Sequence, residues 1–277
     1  MKNGLYIVAT PIGNIHDLSE RAIETLKAAE VIACEDTRIA KKLLSLLNIS
    51  IQKTFITLHD HNEEEQAGKL IALISGGQAV ALVSDAGSPL ISDPGYKLIN
   101  HCRAAGIYIT VIPGCCALIC ALQLAGLPTD RFMFAGFIPN KDKARQDLFN
   151  ELKAIPATLV FYETAPRIIK TLTAAAEIFA GRRLAVAREI TKLYEECLTG
   201  TAEELIARFN DKEPKGEMVF MVAPPLKKAD SEVDGEAELR RLLADMPLKS
   251  AVKTMVETFS LNKNEVYQTA LRIKNES

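Results

Sequence analysis

No apolar run in this chain of 277 residues approaches the length that spans a bilayer, so the sequence predicts no transmembrane helix. The opening residues, MKNGLYIVATPIGN, lack the apolar h-region and the small-residue cleavage site of a signal peptide. The expected location is therefore the cytoplasm. An excess of one charge is also missing. Lys and Arg number 33 against 35 Asp and Glu, a formal net charge of −2. Bulk charge will not hold this molecule to nucleic acid, and any RNA affinity must come from local patches. The six cysteines show no zinc spacing. Cys115, Cys116 and Cys120 crowd a helix start with no histidine nearby and are expected to be small buried apolar fillers. Cys34 and Cys102 lie in apolar periodic segments, and all are read as reduced. Neither G-x-G-x-x-G nor a P-loop follows the first strand, where ATPIGN stands, which argues against a dinucleotide or triphosphate site. There is no internal repeat and no low-complexity tract.

What is present is a strong strand–loop signal. The run AVALV (79–83) ends abruptly in VSDAGSPLISDPG (83–95), which holds two each of Asp, Gly and Pro and three Ser besides the apolar residues. A buried strand running into a stiff polar loop is the usual position of a ligand in an open α/β sheet. Gly87 and Gly95 permit backbone geometries that a side chain resists, and Pro89 and Pro94 restrict the loop. Asp93 is expected to cap a helix beginning near Pro94. Around this loop, strand and helix signals alternate from Leu5 to Ala125, with strands at 5–10, 31–34, 54–58, 79–83 and 107–112. This predicts a mostly parallel sheet covered on both faces. Leu127-Pro128-Thr129 then reads as a hinge. Strands near Met133, at 157–162, at 184–188, near 194–198 and at 217–222 predict a second, mixed sheet. Residues 224–235 are rich in Pro and charge and read as a linker. Three short amphipathic helices after it fit a helix-turn-helix-like bundle. The expected division is an α/β domain at 1–125, a second α/β domain at 126–223 with the ligand cleft between them, the linker at 224–235, and a helical domain at 236–277.

Polar clusters stand where strands end. In CEDTR (34–38), Asp36 is placed to cap the next helix and Glu35 lies near a positive helix end. The alternative makes Glu35, Asp36 and Arg38 cleft residues. In LHDHNEEE (58–65), His59 and His61 would share one face of a strand and Asp60 the other, with Asn62 capping the next helix. No third metal ligand can be placed. VIPGCCA (111–117) offers free N–H groups at a helix start. FYETAPR (161–167) and AREITK (187–192) carry Tyr162, Glu163, Arg167, Arg188, Glu189 and Lys192, some of which surface ion pairs would explain.

Taken in order, LYIVATPIGN, EDTR, LHDHNE, VSDAGSPLISDPG, IPGCCA, LPTDRF with AGFIP, TLVFYETAPR, ARE with TK, and GEMV resemble the tetrapyrrole-methylase-like (class III) methyltransferases. Among these they are similar to the bacterial enzymes that methylate the 2′-hydroxyl of a cytidine in 16S ribosomal RNA. The resemblance spans nearly the whole chain, and VSDAGSPLISDPG is its most specific part. One departure is Pro113-Gly114-Cys115-Cys116, where the family often has Pro-Gly-Pro and a small residue. The resemblance implies S-adenosylmethionine between two α/β domains of a homodimer, surrounded by Pro11, Ser88, Pro89, Ile91, Cys116, Ala117, Tyr162, Glu163, Ala187, Glu217 and Met218. The partner implied is 16S ribosomal RNA in the small subunit, with neither membrane nor metal. A ribose hydroxyl is a weak acid and needs help losing its proton. Glu35, Asp36 and His59 are the candidate bases, with Arg38 beside them. Arg188 and Lys192, with Lys249, Lys253 and Lys263 of the final helices, are the candidate RNA contacts. The alternatives are a non-catalytic RNA-binding assembly factor, or a methyltransferase of the same superfamily acting on a tetrapyrrole or a protein side chain.

Overall fold

The computed structural model describes residues 1–59, 61–211, 215–225, 235–259 and 262–275. Two compact units result, Met1–Pro225 and Leu226–Ser277. The first unit holds two α/β domains.

In the first, strands β1 (Gly4–Val8), β2 (Val31–Cys34), β3 (Thr54–Thr57), β4 (Ala79–Val83) and β5 (Ile109–Ile112) form one sheet in the order β3-β2-β4-β1-β5. All its neighbours run parallel. Helices α1 (Glu20–Ala28), α2 (Thr37–Leu46), α3 (Glu63–Ser75) and α4 (Tyr96–Ala104) return the chain between strands. Successive side chains of a strand face opposite ways, so an apolar run feeds two layers at once. Ala79, Ala81 and Val83 of β4 pack with Ala22 and Leu26 of α1 and Ala40 and Leu44 of α2. Val80 and Leu82 pack with Ala67, Leu70 and Ile74 of α3 and Leu98 and Cys102 of α4. This is why AVALV is apolar throughout rather than alternating.

The second domain has β6 (Phe132–Phe137), β7 (Thr158–Thr164), β8 (Leu184–Arg188), β9 (Glu196–Gly200) and β10 (Glu217–Val222), in the order β6-β7-β10-β8-β9. β6 and β7 are parallel. β10 is antiparallel to both of its neighbours, and β8 is antiparallel to β9. The expected mixed sheet is therefore present, with β9 two residues later than the sequence pattern placed it. Between the strands, α6 (Asp142–Leu152), α7 (Ile168–Ile178) and α8 (Ala202–Asp211) cover one face around Phe149, Phe161 and Phe220. The other face is covered by α5 (Ala117–Ala125). Leu118, Ala121, Leu122 and Ala125 of this helix pack on Val160, Ala185, Ala187, Val219 and Met221. A helix that follows the last strand of the first sheet thus completes the second.

Several local expectations are corrected. α4 begins at Tyr96 with Gly95, not Asp93, at its N-cap. β3 ends at Thr57, which leaves His59 and His61 exposed beyond the strand rather than on its face. Asp60 lies outside the described residues. Asn62 occupies the N-cap of α3 but does not cap it. Its side chain instead accepts from the His59 N–H at 2.7 Å and donates to the Thr57 carbonyl at 3.2 Å, closing the turn. Asp36 does cap α2, accepting from the Arg38 N–H at 2.8 Å. Cys34 and Cys102 are buried, while Cys115, Cys116 and Cys120 are only half-buried.

In the second unit, α9 (Gly235–Asp245), α10 (Leu248–Phe259) and α11 (Lys263–Asn275) pack through Leu239, Leu242, Val252, Met255, Val266 and Ile273. The linker expected at 224–235 falls, apart from Pro224, Pro225 and Gly235, outside the described residues.

Candidate functional site

The loop after β4 is built onto the end of β1. Thr10 and Gly87 exchange backbone hydrogen bonds of 2.8 and 3.1 Å. The buried Ser84 hydroxyl donates to the Gly87 carbonyl at 2.9 Å, and the Thr10 hydroxyl donates to the Ser84 carbonyl at 3.1 Å. The Ser88 hydroxyl donates to the Cys115 carbonyl at 2.9 Å, which ties the loop to the turn that starts α5. Gly87 sits at φ +84°, and a Cβ there would press on Ile12 Cγ2 at 3.3 Å. Glycine is the residue this close approach requires. Leu90 and Ser92 also have positive φ, 70° and 66°. Non-glycine residues hold such conformations only where their surroundings over-determine them, and such places cluster at functional sites. Composition marks Gly87 for this geometry but gives no sign of it at Leu90 or Ser92.

Opposite this loop stand elements of the second sheet, and between them lies a cavity of about 280 Å³. Ile12, the 85–88 and 91–93 segments and Ala117 line one side. Phe137, residues 162–164, Glu189, Ile190, Lys192 and residues 217–219 line the other. β7 reaches the cavity with its end. β10 runs antiparallel to it and reaches the cavity with its start. The loop after β8 is also strained, with φ 50° at Glu189 and 65° at Thr191. It packs close: a Cβ at Gly13 would collide with Lys192 and Thr191, and one at Gly216 with the Glu189 carboxylate.

The lining is rich in carboxylates. Glu163 is fully buried at its side chain, in an ion pair with Arg167 at 3.0 Å. It also accepts from the Thr171 hydroxyl at 2.6 Å and the Thr164 N–H at 2.8 Å. A surface ion pair does not describe it. Glu189 pairs with Lys192 at 3.0 Å. Asp85 accepts the Asp36 N–H on Oδ1 at 3.1 Å. Burial raises the pKa of its carboxyl above the ordinary range, with the Asp36 charge adding to the rise and His59 and Arg38 opposing it. Burial likewise pushes the Tyr162 phenol up to about 12. Its ring is met edge-on by Phe134 and Phe137, with centroids at 4.8 and 5.4 Å.

Of the residues proposed from sequence, the structure brings Ser88, Ile91, Ala117, Tyr162, Glu163, Glu217 and Met218 into the lining, together with Lys192. Pro11, Pro89, Cys116 and Ala187 are not in it. Pro89 is buried under the loop, beside Glu35, Leu58 and Pro94. Ala187 is fully buried in the apolar layer against α5. Asp36, Arg38 and His59 also stand outside the lining. Asp36 is engaged by Arg38 at 2.5 Å, and the guanidinium holds its carboxyl at about 2. Arg188 pairs with Glu196 at 2.7 Å. Sequence reasoning missed Asp85, Phe137, Thr164 and Ile190, although Asp85 lies within the loop it singled out. Lys249, Lys253 and Lys263 are exposed on the separate helical unit. Among the described residues, no three His, Cys, Asp or Glu side chains gather as a metal site, and no helix is long and apolar enough to cross a membrane.

A sheet pair with a loop-lined cavity between strand ends is the architecture of a known class. Residues 4–206 match the family model Tetrapyrrole (Corrin/Porphyrin) Methylases, and residues 229–274 match RsmI C-terminal HTH domain. The crystal structure of uroporphyrin-III-C-methyltransferase from Thermus thermophilus superposes with a TM-score of 0.55 at 22% identity, covering 80% of this chain and 94% of that one. At that identity the likeness concerns the fold. Curated relatives carry the name ribosomal RNA small subunit methyltransferase I. That of Erythrobacter litoralis is 48% identical over 98% of this chain and 95% of its own length. That of Mesorhizobium japonicum is 43% identical over 100% of this chain and 94% of its own. The chain belongs to the tetrapyrrole methylase family and, within it, to the ribosomal RNA small subunit methyltransferase I group.

Proposed function

We propose that the cavity binds S-adenosylmethionine and that the protein transfers its methyl group to the ribose 2′-hydroxyl of a cytidine in 16S ribosomal RNA. The observation that carries this reading is the lining: a backbone cradle facing a wall that holds Glu163, Glu189 and Glu217 against Lys192. Such a wall repels phosphate and suits a ligand bearing a sulfonium and an ammonium. A Cβ at Gly87 would crowd Ile12, itself part of the lining. Ser88, Ile91, Ala117, Tyr162, Glu163, Glu217 and Met218 would surround the donor, with Pro11, Pro89, Cys116 and Ala187 behind them. The bound donor supplies a methyl group that is already activated. The chain supplies alignment, which is worth roughly 7–11 kcal/mol in such reactions. Asp36, Arg38 and His59 act on Asp85 and, with Glu35 next to Asp36 in the chain, would form the polar ground on which the ribose rests.

The substrate follows from the relatives, which act on ribosomal RNA of the small subunit by name. Arg188 and Lys192 beside the cavity, and Lys249, Lys253 and Lys263 on a helix-turn-helix unit, are the RNA contacts in this reading. The loop tip at Leu193 and Tyr194, strongly exposed next to Lys192, offers a face for an unstacked base. The exposed side chains of Phe132, Met133 and Phe137 on edge strand β6 support a homodimer. The protein would work in the cytoplasm on assembling or assembled subunits.

Calorimetry with S-adenosylmethionine, joined to tritium transfer onto naked 16S RNA, small subunits and whole ribosomes, tests the reading. Heat of binding and label in one RNA substrate are expected. Binding without transfer to any of them would leave a different acceptor, and no binding would leave a non-catalytic RNA-binding protein.

A further inference from the structure

We infer that Asp85 is the catalytic base that takes the proton from the acceptor hydroxyl. This rests on the methyl-transfer reading above and names the group that serves it. The carboxylates near the cavity differ in what already occupies them. Glu163 is closed in by Arg167, Thr171 and the Thr164 N–H. Glu189 is paired with Lys192. Asp36 is held by Arg38 and stands outside the lining. Glu35 borders the packed layer beneath the loop, beside Cys34, Leu58 and Pro89. Glu217 is exposed at the start of β10, and Asp93, also in the lining, already has an interaction of its own and acts on the Tyr162 phenol. Asp85 lines the cavity half-buried, with Oδ1 on the Asp36 amide and, among the described residues, no hydrogen-bond partner on Oδ2, which is left to receive a hydroxyl proton.

Its surroundings suit the task. The groups that act on it are Asp36 and Arg38 from the start of α2 and His59 from the turn after β3, and it acts in turn on the Cys34 thiol at the end of β2. Burial and the Asp36 charge disfavour its ionised form, while His59 and Arg38 keep that form accessible. A carboxylate raised toward the working pH is a better base than an ordinary one. The step balances. The ribose O–H bond breaks and its proton goes to Oδ2 of Asp85. The oxygen electron pair forms the O–CH₃ bond as the S–CH₃ bond breaks, and the S–CH₃ bonding pair stays on sulfur. A sulfonium and a carboxylate become a thioether and a carboxylic acid, and the acid returns its proton to solvent.

Asp85→Asn keeps an oxygen for the Asp36 amide and removes only the charge. A carboxyl whose folded pKa is raised costs stability above that pKa, and the cost vanishes below its unfolded value. The variant should therefore melt at or above the wild-type temperature at neutral pH, and the difference should shrink as the pH falls into the ordinary Asp range. Single-turnover transfer from radiolabelled S-adenosylmethionine to unmodified small subunits should drop at least about 100-fold, with donor affinity by calorimetry unchanged. The acid limb of the wild-type pH–rate profile should be absent from the residual rate. A rate retained within about tenfold of wild type overturns the assignment. So does a parallel loss of donor binding, or a variant that fails to fold, because the proposal requires the neutral amide to be tolerated. If the wild-type protein transfers no methyl group to any RNA, the methyl-transfer reading itself falls, a result distinct from an active Asp85→Asn.

Discussion

The two sheets meet the cavity in different ways. The first is wholly parallel and contributes only the loops beyond its strand ends: backbone at Gly87, hydroxyls turned inward at Ser84 and Ser88, and a carboxylate at Asp85. The second is mixed. Because β10 runs against β7, the end of one strand and the start of the other lie side by side, and Tyr162 to Thr164 face the cavity beside Glu217 to Val219. Side chains on paired strands are held by two neighbours and by register. A loop must instead be held by its own bonds and tolerated strain. One side of the site is therefore stiff because of pairing, and the other because of hydrogen bonds back to β1 and α5.

That contrast can be tested. The largest effect is expected on the strand side. Arg167→Met leaves the Glu163 carboxylate buried without its cation and should cost about 3–5 kcal/mol in urea unfolding. Adding Glu163→Gln should restore much of the loss. If the double variant is no better than the single one, the buried pair is not what holds this wall. On the loop side, Gly87→Ala should cost about 1–3 kcal/mol for its positive φ and also raise the Kd for S-adenosylmethionine. Gly77→Ala, at φ +97° with open space around it, provides the control: a similar loss of stability with donor binding intact. Equal effects on binding would deny the loop its special role. Smaller again, Tyr162→Phe removes a phenol that meets the Leu118 N–H and should cost about 1 kcal/mol. In an ultraviolet titration, that phenol should be among the last to ionise, near 12.

The smallest effect concerns the rim. Asp36 has its pKa lowered to about 2, chiefly by its bonds to Arg38. A lowered carboxyl pKa stabilises the fold above the unfolded value, and the stabilisation is lost as the pH falls through the folded one. Asp36→Asn should thus be slightly less stable than wild type at neutral pH and indistinguishable from it in strong acid, as thermal melts across that range would show.

Much of this was legible along the chain, for a local reason. Alternation of apolar runs and amphipathic stretches reports each element's own burial, and AVALV followed by VSDAGSPLISDPG announces a strand and its loop without reference to anything distant. Asp36 reads as a cap because a cap is a contact with the residues just after it. Asn62 and Asp93 look equally like caps, but a turn claims the first and the helix starts two residues too late for the second to hold its N-cap. His59 and His61 were misplaced because β3 stops at Thr57, and strand length depends on the neighbour it pairs with.

The amino-acid order alone therefore determined the set of elements, the loop able to cradle a ligand, and the helical unit at the end. Which elements meet was decided only by the tertiary structure. That β10 inserts between β7 and β8, that α5 leaves the first sheet to cover the second, and that Asp85 meets Asp36 across 49 residues of chain are matters of long-range packing. Periodicity is a property of neighbours in sequence. The position of a carboxylate in a cavity depends on every surface that closes around it.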